Sequence, residues 1–517
     1  MRSARFCVSY DAFAFVKQAL VLETRSVMIS NSRVIARSVK WLVTGLALGG
    51  MTLGTGALLD GQGARMGDAV LQTARHDPAN ELAMKITAPF TFAAVGDIAI
   101  QRPIADINDP RFQTLFSVMR AADMTYANME GPLEDDKLVK DLKGMGVRIM
   151  TTSNNHTMDA GVEGMFHTMR VLDDAGITNA GTGKDLEDAR RARFASTPKG
   201  VVGIVGMYSI DPASSPPESR YTDARPNWPG LNPLRVTPYN IVSAEHMKAL
   251  KAIRDAVYAH RSEVTVPVAP VSKDEPADEV SLFGSFYKVG DNVGSISYSF
   301  NVAERTANVR GGGPNDLDGI LQSIRAGKQT TDFMVVAIHC HQNSFAYQAY
   351  SHDNHVPDFL VELAHKSIDA GADVFVGHGV HTIRGVEIYK GKPIFYGVGN
   401  FLFPQGAVAS ITNGRQEPAS VTNQTGQPDD REALLTTSRY EGGKLVEVRI
   451  YPADLGRDFD RTISKAGLPM TPSPANAQKI LKVVQDASKV FGTTIAIENN
   501  VGVIRVPASA TASNAAR

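Results

Sequence analysis

Cysteine is scarce: Cys7 and Cys340 are the two in 517 residues, too few for a disulfide framework, so stability has to come from a packed core. An excess of either charge is also missing. The 53 basic and 54 acidic side chains leave a formal net charge of −1, so no global field points to nucleic acid or an anionic surface and a specific site must carry function. No internal repeat is evident. The triple glycine Gly311, Gly312, Gly313 is no phosphate loop, because no Gly-Lys-Ser/Thr follows it.

One uncharged stretch stands out near the N-terminus. Residues 41 to 59, "WLVTGLALGGMTLGTGALL", form a run of 19 behind Arg33, Arg37 and Lys40. A membrane span needs about 20 apolar residues and a cleaved signal core about 7 to 15, so length favours an anchor while the many glycines and threonines weigh against one. Positive charge before the run places the N-terminus inside and the residues after Asp60 outside. Export is therefore expected, to a periplasmic or extracytoplasmic location, through a segment that anchors or is cleaved. Met28 offers a natural start for such a signal.

Residues 61 to 88 read as a polar linker. Beyond it, "FTFAAVGDIAI", "VRIMTTSNNH", "VVGIVGMYSI", "FMVVAIHCH" and "DVFVGHGVH" are apolar runs of strand length, several ending in polar residues. Helical spacing lies between them, as at Val162, Met165, Phe166, Met169 and Leu172, at Leu317, Ile320, Leu321 and Ile324, and at Leu360, Leu363, Ala364 and Ile368. The alternation predicts an α/β layered sheet with its site at the strand carboxyl ends. The main domain is expected over 89–455, with insertion or lid material at about 211–316. A helix and strand extension follows over 456–507, capped by Ser473-Pro474 and stopped at Gly492, before a disordered-looking tail at 508–517.

Seven of the 12 histidines fall between His339 and His381, which makes position worth examining. His339 and His341 alternate along one predicted strand and share a face, while His378 and His381 follow another. Gly377 and Gly379 would let the backbone turn tightly there. Oxygen could come from Asp97, Glu130 and Asn155. Mixed imidazole and oxygen donors suit zinc, iron or manganese better than calcium. Two such ions about 3.5 to 4 Å apart would clamp a substrate oxygen and acidify a water, which is hydrolase chemistry. Blander readings stand beside these. Asp97 after Gly96 could form a turn, Asn154 or Asn155 could cap one, and Asp159 reads as the N-cap of the 162–172 helix. Cys340 reads as a small buried hydrophobe, and His352, His355 and His365 as loop or helix-surface residues. For His339, His378 and His381 the bland reading is weaker, because each would need its own buried partner.

"FAAVGDIAI", "ANMEGPL", "SNNHTMDAGVEGM", "VAIHCHQN" and "DAGADVFVGHGVHTIRGVEIYKGKPIFYGVGNFLF" together resemble the CapA family of capsule, or poly-gamma-glutamate, synthesis proteins, relatives of the calcineurin-like metallophosphoesterases. The resemblance covers roughly residues 90–405, with a weaker match in the tail. It implies a four-layered α/β/β/α sandwich and a divalent transition-metal site, with two ions (Mn, Fe or Zn). The implied ligands are Asp97, Glu130, Asn155, His339, His378 and His381. His156 would face substrate, stabilising charge or protonating the leaving group, and Asn128, His341 and Arg384 are expected near substrate. Many family members carry His-Trp-Gly where this chain has His339-Cys340-His341.

The first functional reading is an exported, membrane-tethered protein of polyglutamate or capsule assembly with a metal-dependent hydrolase-like site. Its partners would be an anionic polymer or phosphate-ester substrate and polyglutamate synthase subunits, with no nucleic acid. Two others keep the fold: a periplasmic phosphoesterase unconnected with polymer, and a non-catalytic membrane scaffold.

Overall fold

A strand buried on both of its faces must be covered on both sides; Phe333–His339 is buried throughout and Phe90–Ile98 at every residue but Thr91. In the computed structural model, which describes residues 81–133, 135–210, 228–262, 276–300, 316–344, 354–403, 431–456 and 467–507, they lie at the centres of two separate sheets. The apolar segment 41–59 and the 508–517 tail lie outside the described residues.

The first sheet runs in the order Ala496–Glu498, Val501–Arg505, Lys444–Asp454, Glu432–Glu441, Phe90–Ile98, Met124–Met129, Ile149–Thr151, Thr178–Ala180, and Asn400–Leu402 also pairs with Phe90–Ile98. The last four strands of that order are mutually parallel. In the second sheet Pro233–Val242, Gly200–Ile210, Phe333–His339, Val374–His378 and Lys392–Phe395 are parallel neighbours.

Side chains alternate across each sheet and so divide the interior into three apolar clusters. Phe92, Ala94, Met124 and Tyr126 of the first sheet meet Val335, Ala337, Val374 and Val376 of the second between the sheets. Ala93 and Val95 point the other way, toward Phe112, Leu115 and Phe116 of helix Pro110–Ala121 and Leu172 of helix Gly161–Asp174. Met334, Val336 and Ile338 likewise face Ile320 and Ile324 of helix Asp316–Thr330 and Leu360 and Leu363 of helix Asp358–Asp369. The layers are therefore α/β/β/α, as the resemblance implied.

Three segment boundaries differ from the sequence reading. The linker stops short of residue 88, because Met84 and Ile86 are buried between the sheets and Lys85 N donates to Asp332 O at 3.0 Å. Much of the insertion is part of the scaffold. Pro233–Val242 adds to the second sheet, and Glu279–Leu282, Ser285–Val289 and Ile296–Phe300 extend it; these last strands are short and only part-buried, so they leave little period in the sequence. The C-terminal extension is integral as well. Helix Pro474–Ser488 buries Ile480, Leu481 and Val484 in the inter-sheet cluster, and Val501–Arg505 pairs with Lys444–Asp454.

Candidate metal centre

The parallel strands of both sheets end at one place, and the polar residues that interrupt them meet there. His339 and His378 are register partners on adjacent strands, in phase with the inward-facing Val335, Ala337, Val374 and Val376. Their Nδ1 atoms are 3.1 Å apart. Asp97 reaches the same inner face through an irregularity: three residues from Ala94 to Asp97 stand against two from Tyr126 to Asn128, and the extra residue turns Asp97 inward.

Asp97 is completely buried and divides its two oxygens. Oδ1 lies 3.0 Å from His378 Nδ1 and 3.5 Å from His339 Nδ1. Oδ2 accepts from Gly379 N at 3.0 Å and lies 3.7 Å from His381 Nδ1. Two overlapping donor groups result, Asp97–His339–His378 and Asp97–Glu130–His381, each with ligand atoms close enough to share one ion. Asp97 belongs to both, as a residue bridging two ions would.

The donor chemistry fits a cation. Both carboxyl oxygens of Glu130 and the Oδ1 of Asn155 are buried without a hydrogen-bond donor. His381 Nε2 at 3.9 Å and His156 Nε2 at 4.0 Å from Glu130 Oε1 are beyond hydrogen-bond reach. Leaving three such oxygens unpaired costs about 1 to 3 kcal/mol each, more for charged groups, and a divalent ion removes that cost. Burial first, and then the Asp97 charge, push the Glu130 carboxyl well above its usual range. Burial acts to raise Asp97 too, but the imidazoles of His378 and His339 outweigh it and hold that carboxyl well below its usual range. Burial lowers His339 to about 4, so it is neutral and able to act as a ligand at ordinary pH.

Of the remaining predicted residues, His341 lies just past the strand end, with Nε2 3.0 Å from His339 Nε2, and burial lowers its pKa well below the usual imidazole value. His156 Nδ1 meets Asp159 Oδ2 at 2.6 Å. That reassigns Asp159: the cap position of helix Gly161–Asp174 is Ala160, with no side-chain cap bond, so Asp159 is left to orient His156. Asn128 and Arg384, expected near substrate, are both buried. Asn128 Nδ2 donates to Asp97 Oδ1 at 2.8 Å, and Arg384 Nη2 to the Gln342 carbonyl at 2.7 Å. Cys340 packs in the helix-side cluster of the second sheet, and His365 bonds Glu387 and stacks on Tyr389 away from the donor groups. His352 lies outside the described residues.

Sequence reasoning missed Asn400, whose Oδ1 accepts from His381 Nδ1 at 2.8 Å; the Gly-Asn-Phe motif was the available signal. It also missed Tyr126 and Thr151. Gly377 differs from expectation as well. It sits inside the strand, where a Cβ would come within 2.5 Å of the Tyr396 carbonyl oxygen, so its role is close backbone approach and the turn belongs to Gly379.

The profile of bacterial capsule synthesis protein PGA_cap matches residues 91–405. The chain belongs to that family. A protein of Sinorhizobium fredii described as uncharacterized protein y4sH is 33% identical over 479 residues, covering 84% of this family member and 96% of the relative. The PGA biosynthesis protein CapA of Bacillus subtilis is 23% identical over 334 residues, 60% of this chain and 63% of that one. A solved structure from Staphylococcus aureus assigned as a 5'-nucleotidase covers 77% of the chain and 58% of its own at 9% identity and a TM-score of 0.32; the fold described above rests on its layers and strand order and not on that likeness.

Proposed function

We propose that this family member serves poly-gamma-glutamate or capsule biosynthesis through a metal-dependent, hydrolase-like site. The observation that carries the reading is the pair of donor groups sharing Asp97, with the Glu130 and Asn155 oxygens left unpaired beside them. Asp97, His339 and His378 would hold one divalent transition-metal ion, and Asp97, Glu130 and His381 a second, with Asn155 adding an amide oxygen. Bound there, the ions would polarise a substrate oxygen and acidify a water.

The chain's own residues supply the rest. His156 stands at the mouth of the site with Nδ1 held by Asp159, which leaves Nε2 facing Glu130 and the donor groups. From there it can donate a proton to a leaving group or stabilise negative charge on the substrate. Asn400 orients His381, and Gly379 N keeps Asp97 Oδ2 turned to the second group. The substrate we assign is an anionic polymer or phosphate ester, and the location extracytoplasmic. The location rests on residues 41–59 alone; among the described residues no helix is long and apolar enough to cross a membrane.

Purified full-length protein from manganese-, zinc- and iron-replete cells is expected to carry transition metal, and His378→Ala to lose it while keeping its circular-dichroism spectrum. A metal-free wild type under those conditions sinks the reading. Assay of the metal-loaded protein on polyglutamate and on phosphomonoesters and phosphodiesters then separates polymer work from general phosphoester hydrolysis. Unchanged polymer production in cells carrying Asp97→Ala with His381→Ala would instead mark a non-catalytic scaffold.

A further inference from the structure

The remote nitrogen of His378 has a partner inside the core. Tyr126 is completely buried in the middle of Met124–Met129, and its hydroxyl lies 2.8 Å from His378 Nε2 and 2.7 Å from Thr151 Oγ1. Thr151 Oγ1 lies 3.0 Å from Asn128 Oδ1, and Asn128 Nδ2 is 2.8 Å from Asp97 Oδ1. The chain therefore begins at one residue of the first donor group and ends at another. Strand register makes it possible, since Asn128 pairs with both Asp97 and Thr151, on faces turned to the second sheet.

Counting protons gives this chain a direction. The Asp97 carboxylate can only accept, so it fixes the amide of Asn128 with Nδ2 toward Asp97 and Oδ1 toward Thr151. An amide oxygen also only accepts, so the single Thr151 proton goes to Asn128. Thr151 then has no proton left for Tyr126, and the phenol must donate to it. With its proton so used, the phenol can offer His378 only an oxygen lone pair, and Nε2 must be the N–H donor.

A histidine that ligates a metal does so as neutral imidazole, which carries one N–H. If that N–H is on Nε2, the lone pair is on Nδ1, the atom 3.0 Å from Asp97 Oδ1 and 3.1 Å from His339 Nδ1. A lone pair directed at a carboxylate oxygen is repulsive unless a cation lies between them. The hydrogen-bond chain and the donor group thus require the same tautomer.

We propose that Tyr126, acting through Thr151 and Asn128, is a positioning residue that holds His378 as the Nε2–H tautomer and makes Nδ1 its metal-binding atom. This rests on the metal reading above and names the residues that tune that site from behind. Removing such a partner of a ligating histidine typically costs about 10- to 100-fold in metal affinity.

The test is cobalt(II) affinity, by competition with a chromophoric chelator, for full-length wild type, Tyr126→Phe, Thr151→Val and the double variant, with circular dichroism as the check on folding. Each single substitution is expected to weaken cobalt binding roughly 10- to 100-fold. The double variant should bind no more weakly than the weaker single, because both interrupt one chain of protons; independent structural damage would multiply instead. Affinities unchanged from wild type, or losses that multiply in the double variant, overturn the proposal. If Tyr126→Phe fails to fold, Thr151→Val decides alone, with unchanged affinity as the overturning result. A wild type that takes up no cobalt overturns the metal reading itself, before any variant is compared.

Discussion

Gly379 shows how narrowly one residue can be constrained. Its φ of +94° lies where side chains are disfavoured, and a Cβ would come within 2.7 Å of Cys340 N and 2.8 Å of His339 Cδ2. The turn it makes carries the chain from His378, at the strand end, to His381, itself at φ 60°, so that both imidazoles face Asp97. Gly379→Ala is expected to cost about 1 to 3 kcal/mol from backbone strain alone. It should also displace the His339 ring and weaken metal uptake. Denaturant unfolding beside metal analysis checks both, and a variant with wild-type stability would show that the backbone relaxes without strain. At this scale the candidate histidines were legible because His339, His378 and His381 would each need a buried partner, which weakens their bland reading. Asp97 could equally have been a turn former until its oxygens were found beside them. Tyr126 and Thr151 were not legible. A tyrosine inside a buried strand has the sequence signature of core, and only its distance to an imidazole of the other sheet distinguishes it.

Among the elements, the helix Pro474–Ser488 was the most fully anticipated. Ser473 Oγ accepts from Asn476 N at 3.3 Å, Pro474 takes the first turn, and Gly492 at φ 69° closes the short 3₁₀ turn that follows the helix. Ser473→Ala should destabilise the protein by about 1 kcal/mol. Thermal unfolding would show this as a lower midpoint with the site's metal content unchanged; loss of metal as well would mean that the helix communicates with the site, which its position does not suggest. The irregularity in Phe90–Ile98 could not be anticipated. "FAAVGDI" reads equally well as a regular strand, and a regular strand would have pointed Asp97 at the helix layer.

Over the whole molecule, the C-terminal segment belongs to the core and is no appendage. Ile480, Leu481 and Val484 are completely buried between the sheets. At roughly 1.5 to 3 kcal/mol per side chain they contribute about 5 to 9 kcal/mol, comparable with the total stability of a typical protein at about 5 to 15 kcal/mol. Deleting residues 473–517 is therefore expected to abolish cooperative unfolding in calorimetry. A truncated chain melting in one transition near the wild-type temperature would return the segment to the status of an extension.

The sequence by itself determined the alternation of strands and helices, the family, and which residues are chemically fit to bind a metal, because each of these is local in the chain or a matter of residue type. Tertiary structure decided the rest. The sharing of Asp97 between two donor groups and the proton order running from Tyr126 to Asp97 both depend on side chains of separate strands approaching to about 3 Å, the contact distance of a hydrogen bond. Hydrophobic periodicity reports which face of a strand is buried. It carries no information about which residue of the opposing sheet stands across from it.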